Sequence, residues 1–239
     1  MAGTLPYALE VTGLVKRYGR TTVLRGLDLK VPWGECLVLF GPNGSGKTTL
    51  IKLLAGLSKS TKGSISIAGR DLPKHATSLR RLIGVVSHQS FLYGDLTGYE
   101  NLQFFGRLFQ LESLDTRIHE TANLMEIEEQ LHHKVRTLSH GMQKRIALAR
   151  ALLHDPPILL LDEAETGLDQ GALQAFDRVL TTRGRHRTIV MTTHNLDRGL
   201  ALGSQIALLA KGRIMYEEKR ALLDETYLRD IYAELSGVH

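Results

Sequence analysis

Cys36-Leu37-Val38-Leu39-Phe40 runs straight into Gly41-Pro42-Asn43-Gly44-Ser45-Gly46-Lys47-Thr48, and this junction decides the reading of the chain. Five apolar residues without a polar break suit a strand buried on both faces. The next eight fit G-x-x-x-x-G-K-[ST] without a departure. A helical pattern then continues from Thr48 to Leu57. Strand, glycine-rich turn and helix are the context this motif needs. The glycines let the backbone turn tightly, so that its N–H groups face phosphate oxygens. The helix start adds a partial positive charge. Lys47 then reaches the β- and γ-phosphates, and the Thr48 hydroxyl ligates Mg²⁺. The expected ligand is a nucleoside triphosphate. A dinucleotide fingerprint through Gly44-Ser45-Gly46 fails, because Thr49 stands where a third Gly or Ala belongs.

Further unbroken apolar runs lie at Ile83–Val86, Ile158–Leu161 and Ile189–Met191. Each suits a buried parallel strand. Helical patterns fall between them. One opens at Thr97-Gly98-Tyr99-Glu100, with capping-box spacing, and runs to about Phe109. Another runs from about Gly141 to Leu153, stopped by Asp155-Pro156-Pro157. Strands alternating with helices predict a parallel α/β core. Leu9–Leu14, Leu27–Val31 and Ser64–Ala68 alternate instead, which predicts half-buried antiparallel strands. The stretch from about 95 to 155 holds helices and no good strand. The predicted fold is therefore α/β. It has a P-loop NTPase core with a mainly parallel sheet, an N-terminal antiparallel β subdomain and an inserted α-helical subdomain. All of it is expected within one domain over residues 1–239.

The run at Ile158–Leu161 ends in Asp162-Glu163. Two acids at the end of an apolar strand are costly to desolvate without a compensating cation. Asp162 is placed to hold Mg²⁺, and Glu163 to activate water as general base. Ligands of open α/β sheets sit outside the carboxyl ends of the strands. There four runs lead to polar candidates: Lys47 with Thr48, Gln89, Asp162 with Glu163, and His194.

Composition narrows the classes. The 239 residues hold 43% hydrophobic and 23% charged residues, enough for a core without staples. The formal charge of +5 is spread along the chain, which does not mark a nucleic-acid binder. The lone Cys36 sits in an apolar run and suits a small core residue in a reducing compartment. No run approaches the roughly 18 apolar residues of a membrane span, and Met1–Glu10 does not have the pattern of a secretory signal. His119-Glu120 has Asn123 where a zincin needs its second His, and His132-His133 has no further ligand nearby. Mg²⁺ is the one metal expected.

Leu138-Ser139-His140-Gly141-Met142-Gln143-Lys144-Arg145 resembles the Leu-Ser-Gly-Gly-Gln signature of the ATP-binding cassette (ABC) ATPases. It lies just upstream of the carboxylate strand, as in that family. The resemblance covers about Leu9 to Glu217. Ser139 is a good N-cap, and Gly141 beside it leaves N–H groups open to an anion. The resemblance implies that Ser139 and Gly141 contact the γ-phosphate of ATP held by a second subunit, in a head-to-tail sandwich. It implies that Gly41, Pro42, Asn43, Gly44, Ser45, Gly46, Lys47, Thr48 and Thr49 bind the nucleotide, and that Tyr18 stacks on adenine. Gln89 then senses Mg²⁺ and the attacking water, His194 positions Glu163, and Asp169 of Gly167-Leu168-Asp169 crosses the interface. Two departures stand out. His140 and Met142 replace a glycine and the glutamine of the signature. Ala164 and Glu165 replace a proline and an uncharged residue after Glu163, which leaves the stiffness of that loop open.

The resemblance further implies a homodimer with separate transmembrane permease subunits, held peripherally at the cytoplasmic face of the inner membrane, with no nucleic-acid partner. Phe91–Thr97 is apolar and would form part of the permease groove. The tract Gly84–Thr97, with Glu100-Asn101-Leu102 after it, is similar to haem-exporter ATPases of cytochrome c maturation. Multidrug or lipid export and a soluble non-transport ATPase are the alternatives. Intact Glu163 and His194 speak against a scaffold that does not hydrolyse ATP.

Overall fold

The structure is a computed structural model that describes residues 6–87, 89–181 and 187–236. His88, within the tract compared above, lies outside the described residues, as do 1–5, 182–186 and 237–239. The strands form two sheets. The first takes β1 (Tyr7–Tyr18), β2 (Thr21–Pro32), β4 (Lys62–Ile67) and β5 (Arg70–Asp71) in the order β2-β1-β4-β5, all antiparallel. Ala8, Leu9, Val11 and Leu14 are its buried residues in β1. The alternation skips one position because the register shifts between Val11 and Leu14. Gly13 fills the extra place at φ +56, a conformation glycine adopts freely.

The second sheet joins β3 (Cys36–Phe40), β6 (Ile83–Val86), β7 (Ile158–Asp162), β8 (Thr188–Thr192), β9 (Gln205–Ala210) and β10 (Arg213–Lys219). Their order is β10-β9-β3-β8-β7-β6. All neighbours are parallel except β10 on β9. The inner runs are unbroken because both faces are covered. Leu37, Leu39, Leu160 and Val190 pack toward α1 (Lys47–Leu54) and the antiparallel sheet. Val38, Phe40, Leu161 and Met191 pack toward the helices that follow β6. Burying each such side chain contributes about 1.5–3 kcal/mol.

The expected first helix reaches Leu57; α1 ends at Leu54. Gly56 takes φ +67, and the N–H groups of Gly56 and Leu57 donate back to Leu53 O and Lys52 O. This glycine-based stop leaves Leu57 exposed. Between β6 and β7 the chain forms α3 (Gly98–Leu108), α4 (Leu114–Leu124) and α5 (His140–Leu152) and no strand among the described residues. α3 carries both halves of its capping box: Thr97 Oγ1 accepts from Glu100 N, and Glu100 Oε2 accepts from Thr97 N. After β7 come α6 (Gln170–Thr181), α7 (Leu196–Leu202) and α8 (Glu225–Ser236). Tyr232 of α8 meets Phe40 edge-on at 6.2 Å. No helix among the described residues is long and apolar enough to cross a membrane.

Candidate functional site

β3 lies between β8 and β9, and β7 borders β8, so the carboxyl ends of β3, β7 and β8 open side by side. The loop from Gly41 leaves β3 there. Gly41 has φ +154, and a Cβ on it would stand 2.1 Å from Leu209 O on β9. Gly46 has φ +113, and a Cβ there would meet Leu24 at 2.7 Å. These two approaches call for glycine at 41 and 46. Ser45 N donates to Pro42 O, closing the turn. Lys47, at the start of α1, is buried and donates to Gly41 O at 2.6 Å and Pro42 O at 3.2 Å. Burial pushes its pKa down, and the charges of Glu163 and Asp162 oppose that.

Asp162 is buried at the end of β7. Its Oδ1 accepts from Thr48 Oγ1 at 3.2 Å and from Thr192 Oγ1 at 2.9 Å. Its Oδ2 is buried with no hydrogen-bond partner. Such an oxygen costs about 1–3 kcal/mol or more when it is charged. A hard cation removes that cost, and a carboxylate beside a hydroxyl is the donor set Mg²⁺ takes. The residues therefore fit the ion expected at Thr48 and Asp162.

Glu163 follows at φ +49, in the left-handed region that non-glycine residues rarely enter. Thr192 holds it there: Glu163 N donates to Thr192 O at 3.2 Å and Thr192 Oγ1 at 3.1 Å. His194, just past β8, brings Nε2 to 2.5 Å from Glu163 Oε1. Thr48, Asp162, Glu163, Thr192 and His194 thus form one connected group. Thr192 was not singled out in the sequence. Its signal was a hydroxyl closing a buried strand two residues before His194.

The remaining candidates lie around this group. Gln89 follows β6 with its carbonyl accepting from Ser87 Oγ, and it is exposed. Tyr18 is exposed at the β1–β2 hairpin, with Lys16 Nζ 4.6 Å from its ring centre. Ser139 caps α5, Oγ accepting from Met142 N at 3.3 Å. Gly141 approaches the loop after β7, where a Cβ would lie 3.3 Å from Gly167 O. Asp169 Oδ1 accepts from Arg145 Nη2 at 2.7 Å and from Ala172 N at 2.9 Å. Those partners, the Ala172 amide first, hold its carboxyl below the usual range. Among the described residues no hydrogen bond or ion pair joins Ser139 or Gly141 to residues 41–49 of the same chain.

Cys36 is half-buried, and burial followed by the charge of Glu35 pushes its thiol up to about 12, far from a nucleophile's range. His119 Nδ1 lies 3.0 Å from Glu128 Oε1, and His132 stacks on Tyr99. Away from the phosphate loop, a cavity of about 480 Å³ opens beside β6. Leu57, Val85, Phe91, Tyr93, Phe105 and Arg150 line it.

A phosphate loop on the central parallel strand β3, with acids at the end of β7 one strand beyond β8, defines a P-loop nucleotide-binding protein. The ABC transporter family model matches residues 24–166. The chain belongs to the ABC transporter family, and its class is that of ATP-binding cassette ATPases. It is 37% identical over 214 residues to the Nod factor export ATP-binding protein I of Cupriavidus pinatubonensis (strain JMP 134 / LMG 1197). That match covers 88% of this chain and 66% of the relative, so the chain spans about two thirds of that protein's length. An ATP-binding subunit of an ABC transporter superposes with TM-score 0.87 at 27% identity, covering 96% of this chain and 99% of the other. A dimeric ATP-binding cassette in a post-hydrolysis state, bound to ADP and Pi, gives TM-score 0.79 at 29% identity. That match covers 89% and 98% of the two chains.

Proposed function

We propose that this chain binds and hydrolyses ATP as the motor subunit of an exporter, working as a homodimer on separate membrane subunits. The observation that carries the proposal is the unpartnered, buried Asp162 Oδ2 beside Thr48, one residue from a Glu163 already paired with His194. The phosphate-loop N–H groups from Gly41 to Thr49 cradle the phosphates, and Lys47 turns from its own loop's carbonyls to the β- and γ-oxygens. Thr48 and Asp162, with Gln89 closing the set, would hold Mg²⁺, which supplies charge neutralisation at the β- and γ-phosphates. Glu163 takes the proton of a water whose oxygen attacks the γ-phosphorus, while the bond to the bridging β–γ oxygen breaks. His194 fixes the Glu163 carboxylate through their 2.5 Å contact. Tyr18 stacks on adenine.

Ser139 and Gly141 grip the γ-phosphate held by the second copy, and Asp169 lies at that same interface. A dimeric cassette of similar fold supports the pairing of two copies. Residues 1–239 work as one nucleotide-binding domain, with about 95–155 as its helical subdomain. The groove beside Phe91 and Tyr93 takes the permease, which keeps the chain peripheral at the cytoplasmic face of the membrane. For cargo, the tract Gly84–Thr97 favours haem. The Nod factor export relative favours a different exported molecule, with lipid or multidrug export between them.

Glu163→Gln tests the core of this reading. Because Glu163 is half-buried and already oriented, the variant keeps ATP affinity and accumulates ATP-bound dimer by size-exclusion chromatography. Its turnover falls by about 10²–10⁴, the range of general-base catalysis. Turnover at the parent rate removes Glu163 from the role. Transport of labelled haem by vesicles holding the chain with its co-purified membrane partner tests the cargo.

A further inference from the structure

The end of β7 gathers three acids within four residues: Asp162, Glu163 and Glu165. Asp162 is buried and the other two are half-buried. Carboxylates this crowded and this dry need cations. Lys47 answers from α1, with its ammonium on the loop carbonyls. A second cation arrives from α5. Lys144 Nζ donates to Glu163 O at 3.5 Å, a long contact. Burial pushes the Lys144 pKa down, and the charges of Glu165, then Asp162 and Glu163, pull it back up.

Two further observations bear on this lysine. Glu165 Oε2 is buried with no hydrogen-bond partner, and the charge of this acid acts on Lys144. The Glu163 peptide is held in the left-handed region from both sides. Thr192 takes its N–H, while Thr166 N and Lys144 Nζ donate to its carbonyl. Lys144 lies only five residues beyond Ser139 on the helix whose start grips the partner's nucleotide under the proposed reading. α5 is continuous helix along that turn and a half, with its cap formed at Ser139.

We propose that Lys144 is a positioning residue for hydrolysis, a strut from the signature helix to the Glu163 peptide, with Glu165 as the acid that keeps the ammonium in place. The inference rests on Glu163 being the general base. It also gives the charged residue at 165 a role: its charge draws Lys144 toward the loop after β7. A shift of α5 on gripping the second nucleotide passes through Lys144 to the base in its own chain, so one site's occupancy sets the other's geometry.

The test uses the full chain with Lys144→Met, Lys144→Arg, Glu165→Gln and the double variant Lys144→Met/Glu165→Gln. A fluorescent ATP analogue gives Kd, and phosphate release gives kcat. Lys144→Met keeps Kd within about twofold and loses about 10–100-fold in kcat, the loss expected of a displaced reacting group. Lys144→Arg recovers most of it. Glu165→Gln loses kcat in the same direction, and the double variant is no worse than Lys144→Met alone. Parent kcat in Lys144→Met, a matching loss of Kd, or independent losses that multiply in the double variant would overturn the proposal. If Lys144→Met does not fold, Glu165→Gln decides by itself, and parent kcat there overturns it. Glu163→Gln run in parallel separates the two readings. An active Glu163→Gln removes the base, whereas an inactive Glu163→Gln beside a fully active Lys144→Met removes only the strut.

Discussion

Thr192→Val removes one buried hydroxyl that serves two strands. In the parent, Thr192 Oγ1 donates to Asp162 Oδ1 at 2.9 Å and accepts from Glu163 N at 3.1 Å, and the residue is fully buried. Losing a donor to a buried carboxylate costs about 1.5–3 kcal/mol. Glu163 N keeps Thr192 O at 3.2 Å, so that half of the loss is small. The new methyl returns up to about 0.8 kcal/mol of burial. The net is about 2 kcal/mol of destabilisation. For a chain of this size that lowers the melting temperature by about 4–8 °C. Urea unfolding of parent, Thr192→Val and Thr192→Ser, read by tryptophan fluorescence from Trp33, measures it, and Thr192→Ser restores most of the loss. A Thr192→Val variant within about 0.5 kcal/mol of the parent would refute the claim that this hydroxyl holds Asp162.

Gly41→Ala forces a methyl against Leu209 O at a φ of +154, so it destabilises by about 2–4 kcal/mol and weakens nucleotide binding. A variant matching the parent in both denaturant midpoint and Kd would show that the loop simply slides away from β9. His154 stacks on Phe109 with ring centres 4.0 Å apart, and its Nε2 lies 3.2 Å from Ile83 O. Burial lowers its pKa to about 4, so the unfolded chain takes up the proton first as pH falls. Its contribution is complete above about pH 6.5 and declines between there and pH 4, by an amount on the order of 3 kcal/mol. Replacing it in His154→Phe flattens that part of the stability–pH curve. Parallel curves for the two proteins would count against a buried neutral imidazole.

Local chemistry made β3, the phosphate loop and α3 legible, because each is specified by residues within about ten positions. Capping boxes and glycine turns work at that range. Asp162 and Glu163 were legible for the same reason, as acids breaking an apolar run. β10 went unread. Its half-buried and exposed positions do alternate, but Arg213, Glu217, Glu218 and Lys219 blur the pattern at an antiparallel edge. α2 (Leu72–Leu79) is hard to read because it is short and its backbone leaves helical geometry at His75, although Asp71 and Pro73 are themselves helix-start signals. The contacts that assemble the site were the least visible. Thr192 reaches Asp162 across 30 residues, and Lys144 reaches Glu163 from the preceding helix. Pairings of that kind depend on strand order, which no local pattern carries. The stop of α1 at Leu54 is a milder case, since Gly56 signals a C-terminus only once its φ is known.

The placing of β3 between β8 and β9 has a consequence for biogenesis. Cys36 pairs with Ile189 and Leu37 with Gln205. The strand that carries the phosphate loop is therefore made about 150 residues before either neighbour. At roughly 5–20 residues per second of synthesis, it waits on the order of 10–30 s with both edges unpaired. Through that interval Leu37, Val38, Leu39 and Phe40 form an unsatisfied strand template, the kind of segment that captures other chains. Nascent copies of this protein are thus most exposed to aggregation just before they become able to bind ATP, and a ribosome stalled after β3 has emerged but before β8 is made displays that strand unpaired.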